Sequence, residues 1–224
     1  MVDETELRMD VVYAAKAIFN KGLVEAGEGN VSVRYGNRDE FFITPSFNQY
    51  YDLKKEDVVH MNFEGEALSS GKLPSTEAKM HIAIYKARKK VNGVIHTHSP
   101  YATVLSVLRK GIPIIMEEQV VFLGGTVDMG SYGEAHTEDL GKVALDALAY
   151  KNAALLANHG NIVCGRSIDH AVKFAELVEK LAKIYWGTLQ VGNPYILNDK
   201  DLDKFKAMFK GLFANAPRKL LKNL

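Results

Sequence analysis

The triplet His96-Thr97-His98 follows the apolar pair Val94-Ile95 and precedes Ser99-Pro100. Side chains alternate along a strand, so both imidazoles project from one face with Cα atoms roughly 6.5–7 Å apart. Two rings so placed can share a divalent ion, which takes neutral nitrogen donors at about 2.0–2.1 Å. A third donor must come from elsewhere. The best one is His159, in the turn Asn158-His159-Gly160-Asn161 between two strongly apolar runs. His60 lies inside a strand-like run, His81 sits mid-helix beside Met80 and Ile82, and His136 and His170 stand near helix starts. These four read as solvent-facing or structural. Spacing alone supports a possible three-histidine metal site, beside a structural alternative in which one ring of the pair is solvated and the other hydrogen-bonded.

Positioning such residues takes a scaffold. Leu7, Val11, Val12, Ala15, Ile18, Phe19 and Leu23 recur at helical spacing from about Glu4 to Ala26, and Gly27-Glu28-Gly29-Asn30 ends that helix. Runs at Val31–Val33, Glu40–Thr44 and Val58–Phe63, broken by Gly36-Asn37 and Pro45-Ser46, predict an early antiparallel sheet. A helix starts near Pro74-Ser75-Thr76 and runs through Ala87, with Glu77 in its first turn. Val94–His98 is a strand, Tyr101–Leu108 a short helix, Val120–Leu123 an apolar stretch before Gly124-Gly125, and Thr126–Met129 a further strand. Thr137 caps a helix through Leu148, with Glu138 and Asp139 complementing its dipole. Ala153–Ala157 and Ile162–Cys164 predict a hairpin whose turn carries His159. A long helix from about Ile168 to Leu189, a short linker from Gly192 to Leu197 and a basic tail helix from about Asp199 to Phe213 complete the chain. Interleaved strands and helices imply an α/β fold with a sheet core.

With 224 residues, 47% apolar and 25% charged, the chain is expected to form one globular domain. Its 28 basic and 27 acidic residues leave a formal charge of +1, which argues against a nucleic-acid or membrane partner. Any phosphate recognised here must be met by local groups. The single cysteine, Cys164, excludes an internal disulfide framework and reads as a buried small hydrophobe in a reducing compartment. The acidic start Met1-Val2-Asp3-Glu4-Thr5-Glu6 lacks the features of a signal peptide, and no apolar stretch approaches 18 residues, so the expected location is cytoplasmic.

Taken singly, Glu77 is a glutamate complementing a helix dipole, Gly29 and Asn30 are turn residues, and Ser75 and Thr76 are caps. Taken in order, Gly29-Asn30-Val31-Ser32-Val33-Arg34, Ile43-Thr44-Pro45-Ser46, Gly71-Lys72-Leu73-Pro74-Ser75-Thr76-Glu77, His96-Thr97-His98, Gly124-Gly125, Thr137-Glu138-Asp139-Leu140 and Asn158-His159-Gly160 form a series. That series resembles the class II aldolase/adducin family, nearest its L-fuculose-1-phosphate aldolase branch, from about Glu6 to Gly192. The resemblance implies one domain over 1–224, with a core of about 6–192 and a tail helix of about 199–213. It also implies a central, mainly antiparallel sheet with helices on both faces, and a homotetramer with active sites at subunit interfaces. One zinc per subunit is implied on His96, His98 and His159; Mn2+, Co2+ or Fe2+ also suits so nitrogen-rich a donor set. Glu77 corresponds to the family's movable fourth ligand and acid/base. The phosphate of a small sugar-phosphate partner is implied at Gly29, Asn30, Ser46, Phe47, Ser75 and Thr76, where backbone N–H groups and hydroxyls suit an anion. The implied reaction is reversible cleavage of a short ketose 1-phosphate, such as L-fuculose 1-phosphate, into dihydroxyacetone phosphate and an aldehyde such as lactaldehyde.

Three positions depart from the family pattern. Phe47 stands where a glycine is usual. Glu117 or Glu118 falls where a neighbouring subunit's tyrosine is expected, and a carboxyl there could replace it as proton donor; the pair also reads as solvated charges before a strand. The tail has no tyrosine after Tyr195, and Phe205, Met208 and Phe209 occupy the region. The alternatives are a methylthioribulose-1-phosphate dehydratase, a ribulose-phosphate 4-epimerase, which usually carries aspartate in place of Glu77, and a non-catalytic adducin-head-like interaction module. Retention of all three histidines and Glu77 argues against the last.

Overall fold

The computed structural model describes residues 3–25, 27–69 and 71–223. Met1 and Val2 of the acidic start, Ala26 at the expected end of the first helix, and Leu224 lie outside the described residues. Among the described residues the helices are α1 (Glu4–Asn20), α2 (Ala78–Ala87), α3 (Pro100–Val107), α4 (Glu117–Leu123), α5 (Glu138–Leu148), α6 (Ile168–Val191) and α7 (Asp203–Leu212). The strands are β1 (Asn30–Arg34), β2 (Glu40–Ile43), β3 (Val59–Asn62), β4 (Gly93–Thr97), β5 (Asp128–Met129), β6 (Ala153–Leu156) and β7 (Gly160–Gly165). They form one sheet in the order β3-β2-β1-β4-β7-β6-β5. Every pairing is antiparallel except that of β5 with β6. The expected α/β architecture, a mainly antiparallel sheet with helices on both faces, is therefore present. No helix among these residues is long and apolar enough to cross a membrane.

Strand alternation divides the apolar residues between two cores. Val31, Val33, Ile95 and Val163 pack with α1, α3 and α6 through Val11, Ile18, Leu105, Phe174 and Val178. Phe41, Ile43, Val94 and Cys164 pack on the other face with α2 and α5 through Met80, Ile84, Tyr85, Leu140 and Leu148. His96 shares the face of Val94 and is thereby aimed toward α2. The register of three neighbouring strands then collects polar groups at one sheet end, because β1 sets Asn30 opposite His96 and β7 sets Asn161 opposite Thr97.

Local differences from the sequence reading have identifiable causes. α1 stops at Asn20 rather than continuing to about Ala26, because Gly22 takes φ +67° and the chain folds back, with Leu23 N–H donating to Ile18 O. Val120–Leu123 is the last part of α4 and does not lead into a strand at that point. A four-residue apolar run carries no decisive period, and Glu117 and Glu118 in the first turn, a buried Gln119 bonded to Ile112 O and Pro113 O, and Gly124 at φ +94° delimit the helix. Thr126–Met129 contributes only the two-residue strand β5. Glu77 occupies the N-cap position of α2 rather than its first turn, and the Thr137 hydroxyl donates to Glu134 O rather than capping α5. The tail is anchored: Phe209 is fully buried against Gly124, where a Cβ would lie 2.6 Å from its ring. Asn215 Nδ2 donates to Cys164 O at 2.8 Å.

Gly29 is one of the tight points of the scaffold beside the histidines. Its φ is +68°, and a Cβ there would lie 2.5 Å from His96 O. Gly29→Ala is expected to destabilise the protein by at least about 2 kcal/mol, the left-handed backbone contributing about 1–2 kcal/mol and the carbonyl clash the rest. A lower urea midpoint with an unchanged m-value is the measurement that shows it.

Candidate functional site

Three elements supply three imidazoles. His96 is the penultimate residue of β4, His98 lies one residue beyond the strand, and His159 stands in the β6–β7 turn. The turn approaches β4 closely because position 160 has no side chain; a Cβ there would meet Thr97 O at 2.3 Å. One ligand atom from each ring lies within 4.8 Å of the others. His96 Nε2 and His98 Nε2 are only 2.9 Å apart.

The distal nitrogens explain why the Nε2 lone pairs point inward. His96 Nδ1–H donates to Asn161 O at 2.8 Å, and His98 Nδ1–H donates to Glu28 Oε2 at 2.7 Å. A hydrogen fixed on Nδ1 leaves Nε2 bare, the arrangement that a metal requires of imidazole. Burial pulls His96 down to about 3, so it stays neutral, and burial likewise lowers His98.

Glu77 closes the cluster from the N-cap of α2. Its Oε2 is 3.3 Å from His96 Nε2, and its Oε1 is 3.0 Å from His159 Nε2. Asn30 Nδ2 donates to Oε2 at 2.8 Å, while the buried Oε1 has no hydrogen bond of its own. Burial alone raises the Glu77 carboxyl, but the His96 and His159 imidazoles and the Asn30 amide outweigh it and hold it below the usual carboxylate range. Converging imidazole lone pairs beside an ionised carboxylate with an unsatisfied oxygen fit a divalent cation.

A cleft of about 360 Å³ opens over this cluster. Gly29, Asn30, Ser46, Phe47, Ser75, Thr76, Glu77, His98 and His159 all line it, and His96 lies fully buried beneath. Tyr50 Oη donates to Gly29 O at 2.7 Å and fixes that peptide. Phe47 takes φ +61°, a conformation natural to glycine, and is 89% exposed at the mouth. Asn30 differs from the sequence expectation in one respect: its side-chain amide is engaged by Glu77 and His81.

Glu117 and Glu118 do not line the cleft; Glu118 pairs with Lys180 at 2.7 Å beside a separate groove of about 510 Å³. Two ionisable lining residues escaped the sequence reading, Glu28 and His136. A carboxylate between the two glycines of a ligand-bearing turn was a usable signal for Glu28. His136, at φ +67°, carried none beyond its residue type.

A family model described as the Class II Aldolase and Adducin N-terminal domain matches residues 9–186. The chain is 38% identical over 210 residues to a 5-methylthioribulose-1-phosphate/5-deoxyribulose-1-phosphate aldolase from Rhodospirillum rubrum, covering 94% of each protein. It is 33% identical over 204 residues to a 5-deoxy-D-ribulose 1-phosphate aldolase from Bacillus thuringiensis serovar kurstaki, covering 91% of this chain and 95% of the relative. A solved L-fuculose 1-phosphate aldolase superposes with a TM-score of 0.87 at 30% identity, covering 92% of this chain and 96% of that one.

Two outcomes are expected from this geometry. Glu28→Ala should weaken divalent-metal binding by about 10- to 100-fold, the usual consequence of removing a partner that orients a ligating histidine; competition with a chromogenic chelator measures it. The chelator-treated protein should also lose stability on acidification. His81 and His96 titrate near 6.5 when unfolded but are pulled by burial to about 4 and about 3 when folded. Below pH 6.5 the unfolded chain therefore binds more protons, and stability falls as pH drops toward 4. The slope approaches about 1.4 kcal/mol per pH unit for each histidine, and urea titrations from pH 7.5 to 4.5 read it.

Proposed function

The chain belongs to the class II aldolase and adducin family, and on that premise we propose that it is a zinc-dependent lyase that reversibly cleaves a short ketose 1-phosphate. The products are dihydroxyacetone phosphate and an aldehyde. The observation that carries this reading is the placement of the ionised Glu77 carboxylate against His96 and His159, on the wall of a cleft also lined by glycine and hydroxyl residues. Zinc, when bound by His96, His98 and His159 with Glu77 as exchangeable fourth ligand, supplies Lewis-acid polarisation of the ketose carbonyl and stabilises charge as the carbon–carbon bond breaks.

The chain's own groups perform the remaining work. Gly29, Asn30, Ser46, Phe47, Ser75 and Thr76 receive the phosphate, using backbone N–H groups such as that of Thr76 together with hydroxyls, while the Ser75 N–H is held by Thr44 O. Anchoring the phosphate holds the C3–C4 bond over the imidazole cluster. Glu77 takes the proton from the C4 hydroxyl as that carbon becomes the aldehyde, and returns a proton to C3 of the other fragment. A homotetramer belongs to this reading, because Glu117 and Glu118 can act as proton donors only at a neighbouring subunit's cleft. We place the enzyme in the cytoplasm, in keeping with its small-molecule chemistry and single buried thiol.

Suitable substrates are 5-deoxyribulose 1-phosphate, 5-methylthioribulose 1-phosphate and L-fuculose 1-phosphate, which share the phosphate, the ketone and the adjacent hydroxyls. An assay of dihydroxyacetone phosphate release over this panel is expected to find turnover, and its absence with all three from metal-loaded protein would sink the reading. Glu77→Gln should keep its metal and lose about 10²- to 10⁴-fold in kcat. An unchanged kcat in that variant would remove its acid/base role.

A further inference from the structure

His81 lies in α2 with no exposed surface, two hydrogen bonds from Glu77 by way of Asn30. Its Nε2 is 2.5 Å from Asn30 Oδ1, and Asn30 Nδ2 reaches Glu77 Oε2 at 2.8 Å. On the other side, His81 Nδ1 is 2.6 Å from Ser32 Oγ, which is 2.8 Å from Tyr85 Oη. Asn30, Ser32, His81 and Tyr85 are all 2% exposed or less. A continuous chain of buried hydrogen bonds thus ends on the carboxylate.

The direction of every bond follows from that end. A carboxylate accepts and cannot donate, so Asn30 must turn its NH₂ toward Glu77 and its Oδ1 toward His81. His81 must therefore carry its hydrogen on Nε2. Burial keeps this ring uncharged near neutral pH by pulling it down to about 4, so Nδ1 is bare and accepts from the Ser32 hydroxyl. Ser32 Oγ in turn accepts from Tyr85. A histidine that merely filled space could adopt either tautomer, and an apolar residue could replace it without touching Glu77. Here each link is determined by its neighbour, and reversing any one leaves a buried donor or acceptor unsatisfied, at a cost of about 1–3 kcal/mol.

We propose that His81, as the neutral Nε2–H tautomer fixed by Ser32 and Tyr85, is a positioning residue that holds the Asn30 amide with its donor facing Glu77. The proposal rests on Glu77 being the acid/base of the aldolase reading. Without the His81 donor the Asn30 amide can rotate and present its oxygen to the carboxylate, which loses the bond that fixes its orientation. Catalysis should suffer more than substrate binding, because the phosphate-receiving hydroxyls do not depend on His81.

The test compares metal-loaded wild type with His81→Leu, His81→Gln and Ser32→Ala, measuring kcat, KM, bound metal and, by ¹⁵N NMR of histidine-labelled protein, the His81 tautomer. Glutamine keeps a donor near the Nε2 position, whereas leucine keeps the bulk alone. The expected result is an Nε2–H tautomer in wild type. His81→Leu should lose at least thirtyfold in kcat with KM within threefold and full metal content, and His81→Gln should stay within fivefold of wild type. Ser32→Ala should give mixed tautomers and an intermediate kcat at unchanged metal content, and it serves as the test if His81→Leu does not fold. The proposal is overturned by an Nδ1–H or cationic His81 in wild type, by unchanged kcat in His81→Leu or Ser32→Ala, or by equal losses in the leucine and glutamine variants. If no ketose phosphate is cleaved, the aldolase reading fails instead, and the tautomers in wild type and Ser32→Ala still decide whether the chain is polarised toward Glu77.

Discussion

Keeping a carboxylate ionised inside the protein, against a His96 imidazole that burial keeps uncharged, is the constraint on which this structure turns. An unpaired buried charge is costly, so Glu77 must be met by donors from several directions. The fold meets Oε2 with the Asn30 amide donor and sets the His96 and His159 rings beside the carboxylate. It leaves Oε1 without a hydrogen bond. An oxygen so placed suits a cation, and a fully satisfied carboxylate would not.

Sheet geometry makes this arrangement reproducible. Asn30, His96 and Asn161 come from three adjacent strands, and their meeting at one end follows from backbone pairing rather than from flexible loops. Glycine appears where the backbones must nearly touch. At Gly29 and Gly160 a single added carbon would collide with a carbonyl of β4 or its flank. Loop residues such as Ser46, Phe47 and Thr76 line the cleft outside this strand register.

Much of this was legible from residues alone. The His96–His98 spacing and the turn around His159 identified the three imidazoles, because period two and a histidine before glycine are local signals. The ordered motifs carried the α/β architecture and Glu77. What was not legible depended on tertiary direction. His81 read as a mid-helix structural residue because nothing in Met80-His81-Ile82 reveals that Ser32 and Asn30 lie across from it. Glu28 needed the knowledge that its turn folds over His98. The α4 segment was misjudged because its few apolar residues fit two periods equally, and burial of Gln119 settled the matter only in three dimensions.

The shared register of β1, β4 and β7 has a consequence for how the protein is made. Side chains alternate along a strand, so slipping β7 by one residue along β4 would swing the His159 turn out of reach and replace the Asn161 carbonyl beside His96. A mispaired chain is therefore also a chain without the three-histidine cluster. A divalent ion held by the three histidines would stabilise only the register that the sheet core independently prefers.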